Sequence, residues 1–329
     1  MDAEDGGWTL RKENSVEQKK DTLLEIHDLS VSFRMYDQGL EQKDLRVISD
    51  LRLSIAPGEI VAVAGSSGSG KSLLASAILG ILPENATVRG HLHYKGEELT
   101  REHQEYLRGR EIALVPQSVA FLDPLMKVGK QVDGPGKKDF SSKEEKRKSL
   151  FKRLELPEKT AQLYPFQLSG GMARRVLVST ALLCEAELII ADEPTPGMSL
   201  EQALEALKMF RELANEGKAV LLITHDIDLA FEFADKVAVF YAGTTVETAP
   251  AADFLKGPEA LRHPYSKALW RALPQNGFEP MEGFQPYAGN LPEGCLFAPR
   301  CPYKTRECEE KVPPVQEVRG GEVRCYHGA

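Results

Sequence analysis

The sequence predicts an α/β fold in which buried parallel strands alternate with helices. Three apolar runs, at residues 60–64, 188–191 and 220–223, have the length and composition of strands that are buried on both faces of a parallel sheet. Each run ends in glycine, acidic or hydroxyl residues, the types that line a ligand site at the carboxyl edge of such a sheet. The 329 residues are enough for one large domain with an appendage, or for two domains.

The first apolar run leads into a glycine-rich loop, and a helix-like segment at 73–82 follows, with Pro83 just past its end. This is the context that a P-loop requires. Glycines let backbone N–H groups approach a phosphate, and the helix N-terminus adds a positive dipole end. Lys71 can reach the β- and γ-phosphates of ATP, and Ser72 can ligate Mg²⁺. The alternative interpretation of this stretch is a flexible Gly/Ser linker. The predicted ATP-binding loop is Gly65, Ser66, Ser67, Gly68, Ser69, Gly70, Lys71 and Ser72.

Composition narrows the class of protein. Hydrophobic residues make up 42% and charged residues 27% of the chain, which fits a globular fold. The formal net charge of −8 argues against nucleic acid as a main partner. No apolar run approaches the ~18 residues of a membrane span, and residues 1–20 lack the apolar segment of a secretory signal. We expect residues 1–20 to form a charged flexible tail.

Two strands are predicted ahead of the glycine-rich loop, at residues 23–33 and 47–55, with a polar loop at 34–46 between them. Phe33 ends the first strand, where an aromatic ring can stack on adenine. A core position is the alternative interpretation of Phe33, and Tyr36 is the other candidate for stacking.

The middle of the chain supplies the next candidates. A short apolar strand at 112–115 delivers Gln117 at its carboxyl end. Residues 129–148 are polar and charged, and a helix with a basic, solvated outer face follows to about residue 154. Ser169-Gly170-Gly171 then opens a helix at 172–183, where backbone amides can hold a phosphate.

Acidic residues and a histidine follow the two later apolar strands. Asp192 can hold the Mg²⁺ shell, and Glu193 is placed to act as general base on an attacking water. His225 follows the strand at 220–223 and is a candidate γ-phosphate sensor, although a lone histidine is usually structural. The candidate catalytic residues are therefore Glu193, His225 and Gln117, and the candidate Mg²⁺ ligands are Ser72, Gln117 and Asp192.

These motifs, in this order, resemble those of the ATP-binding subunit of ABC transporters. The segment 164–172, the segment 223–226 and the triplet His263-Pro264-Tyr265 narrow the resemblance to the oligopeptide, dipeptide and nickel importer branch. The resemblance implies a P-loop ABC ATPase core built on a mixed sheet with helices. It also implies a helical subdomain near 118–170 within an ABC domain at 21–269, and a small cysteine-containing C-terminal extension at 270–329.

The resemblance further implies a role for each motif. Gln117 would contact Mg²⁺ or water and couple to membrane subunits. Such subunits dimerise head to tail, so that the signature segment of one chain binds the γ-phosphate of the partner's ATP. The signature residues are Leu168, Ser169, Gly170, Gly171 and Met172.

The resemblance implies an ATPase that powers import of oligopeptides or dipeptides from the cytoplasmic side of the cell membrane, as a peripheral subunit. The expected partners are a related ATP-binding subunit, two transmembrane permeases and an extracytoplasmic solute-binding protein. A nickel or metal-chelate importer is one alternative. A non-transport or catalytically impaired regulatory ABC subunit is another.

One position departs from the family. After Glu193 the family usually carries a loop ending in Leu-Asp, and Ser199 stands here in place of the aspartate. That loop normally crosses to the opposite ATP site. We therefore expect a heterodimer with a different subunit, because a homodimer would carry the change at both sites.

Four of the five cysteines crowd into the last 35 residues, at Cys295, Cys301, Cys308 and Cys325. Few apolar residues surround them, which suggests that a covalent link or a bound metal stabilises this segment. Disulfides are disfavoured in the cytosol, and zinc sites usually show closer cysteine pairs. The four cysteines are thus candidate ligands of a [4Fe–4S] cluster, which members of the resembling branch contain, with zinc as the alternative and His327 as a substitute ligand.

Overall fold

The computed structural model describes residues 22–36, 41–66, 68–134 and 140–328. The predicted tail at 1–20 and one P-loop residue, Ser67, lie outside the described residues. The described strands are β1 (Leu24–Tyr36), β2 (Gln42–Ile55), β3 (Ile60–Gly65), β4 (Ala86–Tyr94), β5 (Glu97–Glu98), β6 (Ile112–Val115), β7 (Leu188–Asp192), β8 (Ala219–Thr224), β9 (Lys236–Tyr241), β10 (Thr244–Pro250), β11 (Val315–Val318) and β12 (Gly321–Arg324). The described α-helices are α1 (Lys71–Leu79), α2 (Arg101–Leu107), α3 (Val128–Asp133), α4 (Phe140–Arg153), α5 (Gly170–Leu182), α6 (Leu200–Asn215), α7 (Ile227–Phe233), α8 (Ala251–Leu255), α9 (Pro264–Arg271) and α10 (Arg306–Glu310).

The larger sheet is mixed, as the family resemblance implies. Its strand order is β11-β12-β10-β9-β3-β8-β7-β6. Strands β9, β3, β8, β7 and β6 run parallel, whereas β10, β12 and β11 add antiparallel neighbours. Because parallel strands end at one edge, the residues after β3, β6, β7 and β8 come together there.

Burial explains why the apolar runs form these central strands. Every residue of β3, β7 and β8 is buried, which fits a parallel sheet covered on both faces. Helix α1 packs on one side of this sheet through Leu74 and Ile78, and α6 packs on the other through Leu207 and Phe210. The predicted strands at 60–64, 112–115, 188–191 and 220–223 are confirmed by these elements.

A second, antiparallel sheet has the order β2-β1-β4-β5. The polar loop predicted at 34–46 is wrong over most of its length, because β1 runs to Tyr36 and β2 begins at Gln42. The two strands pair from Phe33 opposite Leu45 to Tyr36 opposite Gln42. Backbone pairing stabilises this end of the hairpin although most of its side chains are exposed.

Helix α1 ends earlier than the predicted segment 73–82. Gly80 adopts a left-handed conformation with φ of 64°, and its N–H donates to the carbonyls of Ala77 and Ser76. A glycine in this conformation terminates a helix, so glycine decides the end rather than Pro83.

Helices dominate the described part of residues 118–170, where α3 and α4 pack against the N-terminal half of α5. Helix α3 falls almost entirely in the stretch 129–148, which the sequence predicts to be polar and charged, and its buried residues are Val128, Gly129 and Val132. None of the helices in the described ranges combines the length and apolar composition that a membrane span needs.

The C-terminal extension joins the core by a strand and by apolar packing. Strand β12 pairs with β10, and Val323 on β12 is buried. Phe297 packs at 5.2 Å between ring centroids on Tyr241 and at 5.5 Å on Tyr265. The expectation that this segment lacks an apolar core is therefore wrong, because the aromatic partners come from earlier in the chain.

The His263-Pro264-Tyr265 triplet lies at the start of α9 and is buried. Glu247 of β10 accepts hydrogen bonds from the backbone N–H groups of Arg262 and His263, at 2.9 and 2.8 Å. The Arg262 guanidinium is buried and pairs with Glu247 and with Asp253. Burial lowers the pKa of His263 to about 3, so this imidazole is neutral at physiological pH.

Candidate active site

The P-loop connects β3 to α1 with the backbone that its glycines permit. Gly68 and Gly70 have φ of 77° and 96°, and a Cβ at Gly65 would lie 2.4 Å from the Phe240 carbonyl oxygen. The Lys71 ammonium donates to the carbonyls of Gly65 and Ser66, both at 2.9 Å. Burial lowers the Lys71 pKa, while the nearby carboxylates of Asp192 and Glu193 oppose that shift.

Ser72 and Asp192 form an oxygen pair at the base of this loop. The Ser72 hydroxyl donates to Asp192 Oδ1 at 3.1 Å. Burial raises the Asp192 pKa, and the Ser72 hydrogen bond counteracts it. Oxygen ligands of this kind are what Mg²⁺ prefers, so the two predicted ligands fit such an ion.

Glu193 lies between Gln117 and His225. The Gln117 side-chain amide donates to Glu193 Oε2 at 2.9 Å, and His225 Nδ1 lies 3.4 Å from Glu193 Oε1. The Glu193 side chain is 17% exposed and that of His225 is 50% exposed. The structure therefore brings together the three candidate catalytic side chains, which come from the ends of β6, β7 and β8.

The Glu193 backbone is held in the left-handed region, with φ of 47°. Its N–H donates to the Ile223 carbonyl at 2.8 Å, which ties this turn to β8. A non-glycine residue in this region carries strain that the surrounding structure must offset. The strained turn keeps the carboxylate beside Gln117 and His225.

Arg174 is a residue that the sequence interpretation missed. It lies in α5 and is 7% exposed, and its guanidinium donates to the carbonyls of Pro116 and Gln117. Burial lowers its pKa, while Asp192 and Glu193 favour its charge. Arg174 thus holds the turn that contains Gln117 against α5, the helix that begins at the Ser-Gly-Gly segment. Only its long-range contacts reveal this, because arginines in helices are common.

Gln285 is a second residue that the sequence interpretation missed. Its Oε1 accepts a hydrogen bond from the Ser66 hydroxyl at 2.7 Å, so the C-terminal extension contacts the P-loop. Lys43 of β2 donates to the Gly289 carbonyl at 3.2 Å, which holds the same segment against the hairpin. No motif surrounds Gln285 in the sequence.

Comparison with known proteins agrees with this geometry. The ABC transporter family profile matches residues 48–196, and the C-terminal region profile of oligopeptide/dipeptide transporters matches residues 246–308. The oligopeptide transport ATP-binding protein OppD of Escherichia coli strain K12 is 35% identical over 94% of each chain. The dipeptide transport ATP-binding protein DppD of the same organism is 34% identical over 93% of this chain and 96% of its own.

The chain belongs to the ABC transporter ATPase family. It lies in the branch of the oligopeptide and dipeptide transport ATP-binding proteins. A solved dimeric bacterial ABC cassette bound to ADP and phosphate superimposes with a TM-score of 0.60 at 26% identity, over 69% of this chain and 98% of its own. The chain is therefore an ABC ATPase, and ATP and Mg²⁺ are the ligands that this family implies.

The predicted signature segment, Leu168–Met172, lies at the start of α5, which begins at Gly170. The Ser169 hydroxyl accepts from the Met172 N–H at 3.3 Å and caps the helix. A Cβ at Gly171 would lie 2.8 Å from the Gly197 carbonyl, so glycine is needed at this approach. Within the described ranges, no hydrogen bond joins the signature to the P-loop.

Ser199 occupies the position of the family's usual aspartate and caps α6. Its hydroxyl accepts from the Gln202 N–H at 3.3 Å, and the Gln202 side chain accepts from the Ser199 N–H at 3.3 Å. This reciprocal pair is a capping box, which gives the serine a local structural role.

The two candidate adenine-stacking residues differ in exposure. Phe33 is half-buried and packs against the core below the antiparallel sheet. Tyr36 is 66% exposed near the end of the same strand. The half-buried position of Phe33 agrees with either stacking on a base or packing in the core.

All four C-terminal cysteines are free thiols, and Cys295, Cys301 and Cys308 lie near enough to Cys325 for their charges to act on it. Cys308 Sγ lies 3.7 Å from His327 Nε2, and Cys325 Sγ accepts from the His327 N–H at 3.3 Å. Burial raises the Cys325 pKa to about 11, and negative charge on the other three thiols would raise it further. Among the described residues, no group of three or more ligand-type side chains has the arrangement of a metal site.

Proposed function

We propose that this chain hydrolyses ATP to power the import of oligopeptides or dipeptides. The observation that carries the proposal is the convergence of Ser72, Asp192, Gln117, Glu193 and His225 at one sheet edge. Membership of the ABC transporter family supports the coupling of ATP hydrolysis at this site to transport. The names of the similar proteins support peptides as the cargo.

In the proposed mechanism, Lys71 and the P-loop amides hold the phosphates, and Phe33 stacks on the adenine. Ser72, Asp192 and Gln117 would hold Mg²⁺, which neutralises the charge of the phosphates when it is bound. Glu193 takes a proton from the attacking water, whose oxygen bonds to the γ-phosphorus as the bond to ADP breaks. His225, 3.4 Å from Glu193, donates to the γ-phosphate and keeps the carboxylate oriented.

The proposed assembly pairs this chain head to tail with a related ATP-binding subunit. Leu168–Met172 would contact the partner's ATP, because the signature makes no hydrogen bond to the P-loop of its own chain within the described ranges. The Ser199 substitution favours a heterodimer, since each composite site would then differ. Two transmembrane permeases and an extracytoplasmic binding protein complete the complex, which holds this chain at the cytoplasmic membrane face as a peripheral subunit.

We propose that the chain has the domains that the family resemblance implies. An ABC domain at 21–269 would contain the helical subdomain near 118–170, and residues 270–329 would form the extension. Helices α3 and α4 support the subdomain, and the β10–β12 pairing shows that the extension shares the larger sheet.

We also propose that Cys295, Cys301, Cys308 and Cys325 hold a [4Fe–4S] cluster with a structural role. The four thiols are free and lie within electrostatic range of Cys325, which supports this proposal. Anaerobic purification should give a brown protein with about four irons per chain and absorbance near ~400 nm. A colourless preparation with one zinc per chain would contradict the cluster.

The transport proposal is tested by uptake in cells that lack this chain. Complementation with the wild type should restore uptake of a labelled dipeptide or oligopeptide, whereas Glu193→Gln should not. Uptake of labelled nickel in place of peptide would overturn the cargo and favour the metal importer. Full restoration of peptide uptake by Glu193→Gln would contradict the role of ATP hydrolysis.

A further inference from the structure

The outer face of the antiparallel sheet carries a group of metal-ligating side chains on two neighbouring strands, β1 and β4. Residues alternate between the two faces, so that Ile26 and Leu92 are buried in the core and the residues on either side of them lie on the solvent face. Those outward residues are Glu25, His27, His91 and His93. Three of the seven histidines of the chain therefore share one small surface.

The register of the two strands brings these four residues together. His27 lies directly opposite His91, and Glu25 lies directly opposite His93. Opposite side chains on one face begin about 5 Å apart, and side chains two residues apart in one strand begin about 7 Å apart. The four side chains therefore start from the corners of a small rectangle, and each is long enough to reach a point above its centre.

In the structure these side chains form two pairs. Glu25 Oε1 lies 3.7 Å from His27 Nε2, and the rings of His91 and His93 stack with their centroids 6.2 Å apart. Among the described residues the two pairs are not drawn into one ligand group. Two ligand atoms on one tetrahedral zinc are about 3.4 Å apart, and the centroids of two imidazoles on it are about 5 Å apart. Each pair is thus within about 1 Å of the separation that a shared metal imposes.

Charge and exposure at this surface suit a cation. The side chains of His27 and Glu25 are 48% and 32% exposed, so a metal can reach them and they can rotate toward it. Glu98 of β5 lies opposite His93 and adds a second carboxylate to the same face. Arg89 of β4 is separated from the histidines by a shift in the strand register. The two carboxylates therefore outnumber the arginine, and the histidines bind metal in their neutral form.

We propose that His27, His91 and His93 bind one divalent transition-metal ion, with Glu25 as the fourth ligand. Imidazole nitrogens suit Zn²⁺, Ni²⁺ and Cu²⁺, whereas Mg²⁺ and Ca²⁺ prefer oxygen ligands. Three histidines and one further ligand also match the four-coordinate geometry of zinc. The site is separate from the predicted Mg²⁺ ligands at the edge of the larger sheet and from the four C-terminal cysteines.

The bound ion links β1 to β4 by side chains as well as by backbone pairing. An ion that binds the folded chain and not the unfolded one raises the thermal midpoint. Because the three histidines come together only when β1 and β4 pair, zinc should stabilise this sheet. The proposal does not depend on ATP hydrolysis or on transport, so its failure is separate from a failure of the proposed function.

The test is titration of the purified full chain with ZnCl₂ in the absence of nucleotide, because ATP itself chelates metal ions. Calorimetry measures the affinity, and NMR of isotope-labelled histidine rings locates the ion. We expect a Kd below about 10 μM. The ring signals of His27, His91 and His93 should follow one common binding curve, and MgCl₂ should leave them unchanged. The His327 signal reports separately on zinc that is held at the C-terminal cysteines.

Two histidine variants provide a matched pair. His91→Asn should weaken zinc binding at this site at least about tenfold, because even the loss of a group that supports a ligand costs about 10- to 100-fold. His103→Asn should leave binding unchanged, because His103 lies on α2, where its Nε2 is 4.0 Å from Glu97. Without metal, both variants should keep the wild-type thermal midpoint, which shows that they fold. Added zinc should raise that midpoint less in His91→Asn than in His103→Asn.

Four results would overturn the proposal. A zinc response of the His327 signal alone would place the ion at the cysteines. Movement of the His91 and His93 signals without that of His27 would contradict a site shared by two strands. Equal responses to MgCl₂ and ZnCl₂ would show that the surface attracts any cation. Equal zinc affinities of His91→Asn and His103→Asn would remove the site.

Discussion

Two glutamate–histidine pairs in this molecule use the same side chains in opposite ways. Glu193 and His225 meet at the edge of the larger sheet, with side-chain atoms 3.4 Å apart and with 17% and 50% of their side chains exposed. Glu247 and His263 lie in the interior, each 1% exposed, where Glu247 accepts from the His263 N–H at 2.8 Å.

The difference lies in what surrounds each carboxylate. Both oxygens of Glu247 accept hydrogen bonds from backbone N–H groups, and Arg262 neutralises its charge. Glu193 has one amide donor and an exposed imidazole beside it, and its strained backbone holds it toward the solvent edge. A buried carboxylate whose oxygens all accept hydrogen bonds stabilises the fold. A carboxylate at a sheet edge that accepts fewer hydrogen bonds can take up a proton.

The largest expected effect concerns the exposed pair. Glu193→Gln should lower ATP hydrolysis by the assembled complex about 10²- to 10⁴-fold, because an amide cannot take the proton of the attacking water. Its thermal midpoint should stay near that of the wild type. The surface variant Glu187→Gln is the control, and near-normal turnover by Glu193→Gln would contradict the assignment.

The buried pair should respond in stability instead. Glu247→Ala should lower the free energy of unfolding by about 3–5 kcal/mol, because it leaves two buried backbone donors unpaired and removes one of the two carboxylates that pair with Arg262. Chemical denaturation measures this loss. Glu259→Ala removes an 86% exposed carboxylate 3.8 Å from Arg271 and should cause no measurable change. Equal effects of the two variants would contradict the structural role of Glu247.

A third prediction uses pH to test the burial of His263. The folded-state pKa of His263 is about 3, below the unfolded value of ~6.5, so unfolding takes up a proton between these pH values. Stability should therefore fall as pH falls from about 6.5 toward 3, by at most about 1.4 kcal/mol per unit from this group.

His263→Asn should remove this dependence, because an asparagine oxygen can also accept from the Tyr265 N–H. From pH 7 to pH 5 the wild type should lose about 2 kcal/mol more than the variant. Parallel pH profiles of wild type and His263→Asn would refute the prediction.

The smallest effect is expected at Ser199. Ser199→Ala should cost about 1 kcal/mol by removing the cap of α6, whereas Ser199→Asp should keep the cap. Unfolding of the two variants measures the difference. If Ser199→Asp also raises ATP turnover of the complex, the missing carboxylate limits the composite site. Equal destabilisation by alanine and aspartate would show that the cap contributes nothing.

The sequence was most informative where function depends on contiguous motifs. The apolar runs of β3, β7 and β8 identify the parallel sheet, and the residues after them form the site. Gln117, Glu193 and His225 lie far apart in the chain, yet each follows a buried strand, so the sheet edge explains their convergence.

The remaining features depend on contacts that no local pattern encodes. Arg174 and Gln285 are ordinary residues in the sequence, and only folding places them against the Gln117 turn and Ser66. The β1–β2 hairpin extends through mostly exposed residues because its two strands pair by backbone hydrogen bonds. The Glu247 carboxylate is linked to the C-terminal extension through Arg262, which pairs with it and also donates to the carbonyls of Val318 and Arg319.

The most direct test of the account is the identity of the nucleotide that Glu193→Gln retains. The assembled complex is incubated with photoreactive ATP labelled on the γ-phosphate, irradiated, and this chain is isolated. The account predicts that the variant chain keeps the γ-label, because ATP binds and is not hydrolysed, whereas the wild type loses it. Loss of the γ-label at the wild-type rate would contradict the claim that Glu193 is the group that activates water.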